Sequence, residues 1–280
     1  MREQQVNNYI GKYTLTVSPD FSIEDALIRD GVWEAQVLRC ISSYVNKGDT
    51  CIDIGANCGL ITIAIADQVG TQGEVHAFEP SSVMFPRLKR NVDHNPSLHD
   101  RIRLHKCGLG DRRGSLKLFE AGDKPGNAYM AQSRKANYWN RGGEYDFETC
   151  PVETVDNLFQ GQHIDFIKID VEGMEYDVLL GSVNTLKQSL PIIVFETLLE
   201  CFDNEKIRRC DELLTSLGYL LFVIHPVNGL LVPTHFPNLS EDTVAIHTSK
   251  VGGYREHMLN QELLDVALNR VLEDPEVSGV

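Results

Sequence analysis

The sequence predicts an α/β fold in which a mostly parallel sheet has helices on both faces. Apolar segments of strand length alternate with segments of helical periodicity along most of the 280 residues. The segment from Thr50 to Gly59, T-C-I-D-I-G-A-N-C-G, indicates a buried strand, a glycine turn and the start of a helix. Glu79 ends the next apolar strand, 26 residues after Asp53, which is about the length of one βαβ unit. These observations predict a nucleotide-type ligand at the carboxyl ends of the strands.

Length and charge limit the classes of protein to consider. A chain of 280 residues with 42% hydrophobic content suffices for one large domain with additions. A net charge of −14 argues against nucleic acid and against an anionic membrane surface as partners. Seven cysteines without a C-x-x-C pair predict reduced, buried thiols rather than disulfides or a zinc site. Because no apolar run resembles a signal peptide or a membrane span, we expect a cytoplasmic protein.

Residues 1–46 predict an N-terminal cap on the main domain. Tyr13 to Val17 alternates as a strand does, and Ser22 to Gly31 has the apolar spacing of a short helix. Ala35 to Val45 repeats apolar residues at helical spacing and ends before Lys47-Gly48-Asp49. We expect this last helix to pack on the sheet beside its first strand.

The main domain, residues 47–250, contains the alternating strands and helices. Its predicted helices are Leu60 to Val69, Ser81 to Asn95, Met174 to Leu190 and Asp211 to Leu217. After the Thr50 strand, its further predicted strands are Glu74 to Phe78, Ile102 to Lys106, Ile164 to Ile169, Pro191 to Phe195, Tyr219 to Ile224 and Thr243 to His247. No helix fits between the last two strands, which predicts a final hairpin.

Two further segments have alternative interpretations. Ser115 to Phe119 and Glu148 to Val152 predict an edge hairpin around a polar, glycine-rich insert, residues 121–149. An insert of this length is either a lid over the substrate or an ordinary surface segment. Residues 251–280 predict a C-terminal helix and tail. This helix either packs on the domain, pairs with a second copy in a homodimer, or frays.

The glycine turn discriminates between ligands. Its pattern, with Gly55, Asn57 and Gly59, lacks the third glycine of the dinucleotide fingerprint. Asp53 at the strand tip would repel phosphate, whereas Glu79 is placed to accept hydrogen bonds from both ribose hydroxyls. The two carboxylates suit S-adenosylmethionine (SAM), which has an ammonium, a sulfonium and a ribose but no phosphate. The alternative is the glycine turn of another α/β enzyme, such as a NAD-dependent oxidoreductase.

The third strand ends in a turn that contains Gly108 and Leu109. In a doubly wound sheet this turn borders the ligand crevice. We expect the adenine ring of the ligand to lie there.

A second chemical segment, D-V-E-G from Asp170 to Gly173, follows the fourth predicted strand. Asp170 is our first choice for a general base that takes the proton of an acceptor hydroxyl. Its alternative role is to accept hydrogen bonds at the start of the next helix. Glu172 acts as base or orients substrate, and Glu175 caps the helix. Lys168 lies on the same strand face as Asp170, where it tunes that carboxylate or contacts substrate.

Glu196 ends the neighbouring strand and is expected to meet Asp170 across the crevice. Two such carboxylates are also a hypothetical Mg²⁺ site. The sequence does not support the metal, because Thr197-Leu198-Leu199 stands where a third ligand would be needed. His225 and His235 are alternative bases in late loops, where surface or packing roles are more common for histidine.

The segments quoted so far resemble those of the FkbM family of SAM-dependent methyltransferases. The resemblance runs from about Gly31 to Glu196, and its most specific string is I-K-I-D-V-E-G-M-E from Ile167 to Glu175. The other matching strings are Gly31-Val32-Trp33-Glu34, the D-I-G-A-N-C-G turn, Phe78-Glu79-Pro80, Leu109-Gly110-Asp111 and Thr154-Val155-Asp156-Asn157-Leu158. Gly108, where the family more often has alanine, and the long insert depart from the family pattern.

The resemblance implies a class I methyltransferase fold, with a sheet of strand order 3-2-1-4-5-7-6 whose last strand is antiparallel. It implies methylation of a hydroxyl on a sugar or another natural product, with SAM as cofactor and a small-molecule or saccharide acceptor. It also implies that Glu34 and Pro80 lie on the cofactor side of the site. Asp170 is a candidate to bind the cofactor as well as to act as base. Methyl esterification, N-methylation and a non-catalytic SAM-binding module are the alternatives.

Overall fold

The structure of the protein is a computed structural model that describes residues 2–120, 128–130, 147–197, 204–225, 229–235, 242–259 and 264–268. The strands are β1 (Gln4–Tyr9), β2 (Tyr13–Val17), β3 (Thr50–Ile54), β4 (Glu74–Phe78), β5 (Ile102–His105), β6 (Gly108–Leu109), β7 (Gly114–Glu120), β8 (Ala128–Met130), β9 (Phe147–Glu153), β10 (Phe166–Ile169), β11 (Ile192–Glu196), β12 (Tyr219–Ile224), β13 (Leu231–Thr234) and β14 (Asp242–His247). The α-helices are α1 (Ser22–Asp30), α2 (Ala35–Tyr44), α3 (Leu60–Val69), α4 (Met84–Asp93), α5 (Val155–Leu158), α6 (Glu175–Leu180), α7 (Val183–Ser189), α8 (Asn204–Ser216) and α9 (Thr248–Val251). None of these helices is both long and apolar enough to cross a lipid bilayer.

The central sheet has eight strands within the described residues, in the order β13-β12-β14-β11-β10-β3-β4-β5. The strands from β11 to β5 are parallel, and β14 is antiparallel to both of its neighbours. Without β13, this is the strand order that the family resemblance implies, so the predicted fold class is confirmed. The predicted antiparallel pairing of the last two strands is confirmed for β12 and β14, but β13, which was not predicted, lies between them in the chain and adds an edge strand beside β12.

The two faces of the sheet bury two hydrophobic layers. Cys51 of β3 packs in the layer with α2, α3 and α4, whereas Ile52 and Ile54 pack in the layer with α5 to α8. Neighbouring residues alternate between these layers because successive side chains of a strand point to opposite faces. Asp53 and Lys168, which are paired in register across β3 and β10, therefore face the layer of α2 and α3.

A smaller sheet, in the order β6-β9-β7-β8, lies outside the central one. The predicted antiparallel pairing of β7 with β9 is confirmed, but the pair belongs to this separate sheet and not to an edge of the main one. Gly108 and Leu109, predicted as a turn, form the strand β6, which pairs in parallel with β9. Of the predicted insert 121–149, only residues 128–130 and 147–149 are described, so the lid interpretation lies outside the described residues.

The helix predicted from Met174 to Leu190 is wrong, since the segment forms two helices, α6 and α7. The break lies at Gly181, where a Cβ atom would stand 2.0 Å from the carbonyl oxygen of Gly110. A new helix begins because Asp156 accepts hydrogen bonds from the backbone N–H groups of Asn184 (3.0 Å) and Thr185 (2.8 Å). Asp156, in the T-V-D-N-L string that resembles the family, therefore has a structural role at the start of α7.

The C-terminal segment also differs from its prediction. Gly252–His257 forms a 3₁₀ helix where we expected the start of an α-helix, and residues 264–268 are helical. Leu264 is fully buried in the core of the domain. The described part of the tail therefore packs on the domain, while the homodimer stays a prediction.

The N-terminal residues are held on the domain by a buried ion pair. β1, which its polar sequence Q-Q-V-N-N-Y did not predict, pairs with β2. Glu24 on α1 is fully buried and accepts a hydrogen bond from Nε of Arg87 on α4 at 2.7 Å. The guanidinium of Arg87 also lies over the ring of Phe21, 4.2 Å from its centroid. Arg87 thus joins the cap to the helix that follows β4.

Replacing Arg87 by methionine is expected to lower the free energy of unfolding by about 3–5 kcal/mol, because Glu24 would be left as a buried carboxylate without its counter-charge. Denaturant titration of the purified protein measures this change. The matched control is Lys89→Met on the same helix, which removes only an exposed pair with Asp93 and should cost less than about 0.5 kcal/mol. Equal effects of the two variants would contradict the assigned role of the buried pair.

Candidate functional site

A crevice with two connected chambers opens at the carboxyl ends of β3, β4 and β10. The larger chamber encloses about 680 Å³, including some space open to solvent, and the smaller one about 340 Å³. Four residues line both chambers, so one extended ligand can occupy the two together: Ile23, Gly55, Asn57 and Asp170.

The glycine turn forms the floor between the chambers. Gly55 has φ +85°, and a Cβ atom there would stand 1.8 Å from the carbonyl oxygen of Asp170. The backbones of β3 and β10 can approach this closely only because residue 55 has no side chain. Gly59 has φ +93° and faces Leu88, and it lines neither chamber. Gly55 therefore shapes the crevice, whereas Gly59 shapes the turn behind it.

Glu79 is fixed at the wall of the larger chamber by the backbone of two turns. Its Oε2 accepts a hydrogen bond from the N–H of Asn57 at 2.8 Å, and its Oε1 accepts one from the N–H of Ser81 at 2.9 Å. Carboxylate oxygens accept hydrogen bonds from hydroxyl groups, so Glu79 suits a ligand that carries a diol. Three more residues predicted to bind cofactor line the same chamber: Pro80, Gly108 and Leu109.

Asp53 borders the smaller chamber but is almost completely buried, with 1% of its surface exposed. Its Oδ2 accepts a hydrogen bond from Oγ1 of Thr62 at 2.5 Å. Burial raises the pKa of Asp53 to about 6, although the Thr62 hydrogen bond and Lys168 oppose the change. This carboxyl group joins β3 to α3 and contributes negative charge to the chamber.

Of the described residues that line the two chambers, Lys168 is the one with a cationic side chain. Its Nζ is 3.6 Å from Oδ1 of Asp242, 3.8 Å from Oδ2 of Asp170 and 4.0 Å from Oε2 of Glu34. Burial opposes the charge of this ammonium, but the surrounding carboxylates outweigh burial and raise the pKa of Lys168 well above its usual value. Among the described residues, Nζ has no hydrogen-bond acceptor.

Glu34 borders only the smaller chamber, beside Trp33. Its backbone is left-handed, with φ 47° and ψ 52°, at the start of α2. A non-glycine residue in this conformation is strained by about 1–3 kcal/mol and is often part of a functional site. Burial raises the pKa of Glu34 to about 8, although the ammonium of Lys168 opposes the change.

Three carboxylates lie in a row at the ends of adjacent strands. Glu196 is the last residue of β11, and Asp170 follows β10 at the same level, since Ile169 pairs with Phe195 in register. Glu196 is also the partner of Asp242 on β14. Glu196 therefore lies on the strand next to Asp170, as the sequence predicts, but it lines neither chamber. Asp242 was missed, because the predicted last strand began one residue later.

The row of carboxylates also bears on the magnesium hypothesis. Within the described residues, no group of three or more His, Cys, Asp or Glu side chains is arranged to hold a metal ion. The ammonium of Lys168 lies within 4.0 Å of carboxylate oxygens of Glu34, Asp170 and Asp242 and also interacts with Glu196, so it already balances the negative charge that would attract a divalent ion to Asp170 and Glu196. The donor set therefore fits an internal ammonium better than Mg²⁺.

The side chain of Glu175 fixes the backbone of the D-V-E-G loop. Its Oε1 accepts hydrogen bonds from the N–H groups of Val171 (3.3 Å) and Gly173 (3.1 Å), and burial raises its pKa to about 7. Glu172 lines the larger chamber in a left-handed conformation, with φ 56°. The loop therefore presents Glu172 to the crevice and fixes it with Glu175.

The alternative bases lie away from the crevice. His225 and His235 line neither chamber. The described cysteines are free thiols, and five of the six are buried. Most of the side chains in the crevice that can take up or release a proton are therefore carboxylates.

Comparison with known proteins identifies similar sequences. The model of the "Methyltransferase FkbM domain" family matches residues 53–221. The chain is 29% identical over 190 residues to "Methyltransferase 1" of Beauveria bassiana, an alignment that covers 62% of this chain and 74% of that one. It is 27% identical over 196 residues to "Hexuronic acid methyltransferase AglP" of Haloferax volcanii, covering 69% of this chain and 72% of that one. It is 28% identical over 173 residues to "2-O-methyltransferase NoeI" of Sinorhizobium fredii, covering 58% and 69%.

Solved structures give more distant similarities. The methyltransferase FkbM of Methylobacillus flagellatus superposes with a TM-score of 0.43 at 18% identity, over 71% of this chain and 44% of that one. A SAM-dependent O-methyltransferase from Thermotoga maritima superposes with a TM-score of 0.44 at 14% identity, over 87% of this chain and 77% of that one.

Proposed function

Because this chain belongs to the FkbM methyltransferase family, we propose that it transfers the methyl group of SAM to a hydroxyl of a saccharide or similar metabolite. The position of Asp170 is the observation that carries this proposal. Its side chain is about a quarter exposed and lines both chambers. Glu79 lines the larger chamber, and the Lys168 cluster, which is Lys168 with Glu34, Asp170 and Asp242, borders the smaller one. A carboxylate between a nucleoside chamber and a second polar chamber is well placed to act on an acceptor that enters beside it.

The larger chamber fits the adenosine part of SAM. Glu79 offers two carboxylate oxygens to the ribose hydroxyls, and Phe78 and Leu109 offer apolar surface to the base. The close approach of Gly55 to Asp170 leaves the floor free of side-chain atoms, as the backbone cradle of a nucleotide requires. These residues agree with a SAM site on grounds that are independent of the family match.

When bound, SAM supplies a methyl group on a sulfonium, which an oxygen nucleophile can displace. A carboxylate oxygen of Asp170 accepts the proton of the acceptor hydroxyl, and the hydroxyl oxygen thereby becomes a nucleophile. Lys168 orients this carboxylate from 3.8 Å, and Glu175 holds the backbone of the loop that contains it. The protein thus contributes orientation and proton transfer.

The acceptor class comes from the relatives and from the chemistry of the crevice. The names of two relatives specify a hexuronic acid and a 2-O position. In this chain Asp170 and Glu172 line the crevice, and carboxylates bind hydroxyl donors well. We therefore propose a hydroxyl of a saccharide as the acceptor, to be tested by mass spectrometry of sugars incubated with the enzyme and SAM.

Replacing Glu79 by glutamine is expected to weaken the binding of SAM and S-adenosylhomocysteine (SAH) at least tenfold. The amide can accept hydrogen bonds through only one of its two terminal atoms, so the ribose loses part of its recognition. Calorimetric titration measures the change. The matched control, Glu74→Gln at the other end of β4, alters a surface pair with Arg103 and should leave affinity unchanged. Unchanged affinity of Glu79→Gln would remove Glu79 from the cofactor site.

A further inference from the structure

The smaller sheet forms one wall of the larger chamber. Gly108 and Leu109 on β6 and Leu118 on β7 line this chamber. Glu79 and Pro80, which follow β4 of the central sheet, line it as well. A ligand that fills the larger chamber therefore touches both sheets, and the smaller sheet has to stay in place for that contact to persist.

The two ends of the smaller sheet are held differently. At one end, the N–H of Gly110 donates to the carbonyl oxygen of Glu153 at 3.0 Å. The carbonyl oxygen of Gly110 also lies so close to Gly181 that a Cβ atom there would stand 2.0 Å away. At the other end, the buried side chain of Leu118 packs with Met174, next to the D-V-E-G loop. The backbone thus fixes the first end, whereas contact at the second end depends on side chains.

A polar contact reinforces the end that contains Leu118. Glu148 on β9 is the partner of Leu118 in register, so the two side chains lie side by side on one face of the smaller sheet. Oε2 of Glu148 accepts a hydrogen bond from the N–H of Ser82 at 2.8 Å, and its Oε1 accepts one from the hydroxyl of Ser82. Nζ of Lys106 donates to Oγ of Ser82 at 2.8 Å and lies 3.6 Å from Oε1 of Glu148. We call these three residues, Ser82, Lys106 and Glu148, the latch.

The latch joins the smaller sheet to the segments that hold the chamber on its other side. Ser82 comes two residues after Pro80, and Lys106 directly follows β5. Burial opposes the charge of Glu148, but the hydrogen bonds from Ser82 and the charge of Lys106 lower the pKa of this carboxyl group below its usual value. Glu148 is therefore a carboxylate at neutral pH, as the contact requires.

We propose that Glu148 is a positioning residue that holds Leu118 and the smaller sheet against the larger chamber, so that a ligand enters or leaves only when the latch opens. The inference rests on the proposed function, because it takes SAM and SAH as the ligands. The side chains of Glu148 and Lys106 are 32% and 46% exposed, so water can replace their contacts at low cost. The latch is thus strong enough to favour the closed position and weak enough to open during turnover.

The latch predicts a specific change in the rates of ligand exchange. Leu118 contacts the ligand whether or not Glu148 is bonded, so loss of the latch lowers the barrier to exchange more than it removes binding contacts. Both the association rate constant kon and the dissociation rate constant koff should therefore rise. A residue that only stabilises the fold would change the free energy of unfolding and leave both rate constants unaltered.

The first test measures the exchange of SAH by surface plasmon resonance on the immobilised protein. We expect Glu148→Ala to raise koff about five- to tenfold, with kon equal to or above that of wild type. Lys106→Met should change koff in the same direction by a smaller factor, because its Nζ is 3.6 Å from Glu148. The matched control is Glu153→Ala on the same strand, whose carboxylate pairs with Arg113 inside the smaller sheet at 3.0 Å. Its rate constants should stay within about twofold of wild type.

The second test uses salt, which screens a partly exposed ion pair. When NaCl is raised from about 0.05 M to about 0.5 M, koff of the wild type should increase about threefold. The koff of Glu148→Ala should stay nearly constant over the same range. This comparison is made within each protein, so a difference in stability between the variants does not affect it.

The possible failures give different results. Unchanged rate constants in folded Glu148→Ala, or an equal change in Glu153→Ala, would overturn the role of Glu148. A rise in koff together with a fall in kon would also overturn it, because that result indicates lost ligand contacts and not an opened latch. Failure of the folded wild type to bind SAH would instead refute the proposed function.

Discussion

The Asp170→Asn variant is expected to lose about 10²–10⁴-fold in kcat while its affinity for SAH stays within about threefold of wild type. Asparagine keeps the shape of the side chain and its position between the chambers, but its amide cannot take a proton from an acceptor hydroxyl. The separation of kcat from affinity is the informative result, since a residue that only shapes the crevice would change both. Steady-state kinetics with a hydroxyl acceptor, combined with calorimetry, measures the two quantities.

The matched control for this prediction is Asp177→Asn on α6. Asp177 pairs with Lys206 at 2.7 Å and lines neither chamber, so turnover should be unchanged. Retention of turnover by Asp170→Asn would contradict the role of Asp170 as base. In that case an acceptor that is already ionised, such as a carboxylate, becomes the better explanation, because it needs no base.

The Gly55→Ala variant is expected to lose SAH binding and to lower the free energy of unfolding by about 3 kcal/mol or more. Two costs combine there, because φ is +85° and the new Cβ would stand 1.8 Å from the carbonyl oxygen of Asp170. That oxygen belongs to the backbone at the end of β10, so it cannot move without moving Asp170 itself. Denaturant titration and calorimetry with SAH measure the two losses.

Gly48 provides a control that separates the two costs. Its φ is +94°, but a Cβ atom there would meet nothing within 4 Å. Gly48→Ala should therefore show only the conformational cost, about 1–2 kcal/mol, and should keep SAH binding. If the two alanine variants behave alike, the close approach of β3 to β10 has no role in the site.

The strands and helices that have a clear periodicity of apolar residues could be predicted from the sequence. The alternation of apolar strands with amphipathic helices predicts the central sheet, and the bounds of α3 and β4 agree with it to the residue. The same holds for the crevice at Gly55 and Glu79, because a turn after a parallel strand must lie at its carboxyl end. Family resemblance was needed for the strand order, which no local pattern contains.

The features that the sequence did not predict depend on contacts between distant segments. The helix ends at Gly181, where a Cβ atom would stand 2.0 Å from the carbonyl oxygen of Gly110, and the local sequence does not show this close approach. Asp242 joins the Lys168 cluster only because β14 inserts in antiparallel orientation beside β11. The strand β6 is two residues long and has no periodicity that could identify it.

The carboxylates around Lys168 come from distant parts of the chain, and one of them, Asp242, is bonded to Gln36, 206 residues away. During synthesis on the ribosome, the first of these partners emerges long before the second. A nascent chain that has already formed β3, β4 and β10 would still lack one wall around the Lys168 ammonium until β14 inserts between β11 and β12. The full set of carboxylates around Lys168 would therefore form late, after the insertion of β14, and a ligand that binds only the folded protein would stabilise finished molecules rather than partly made ones.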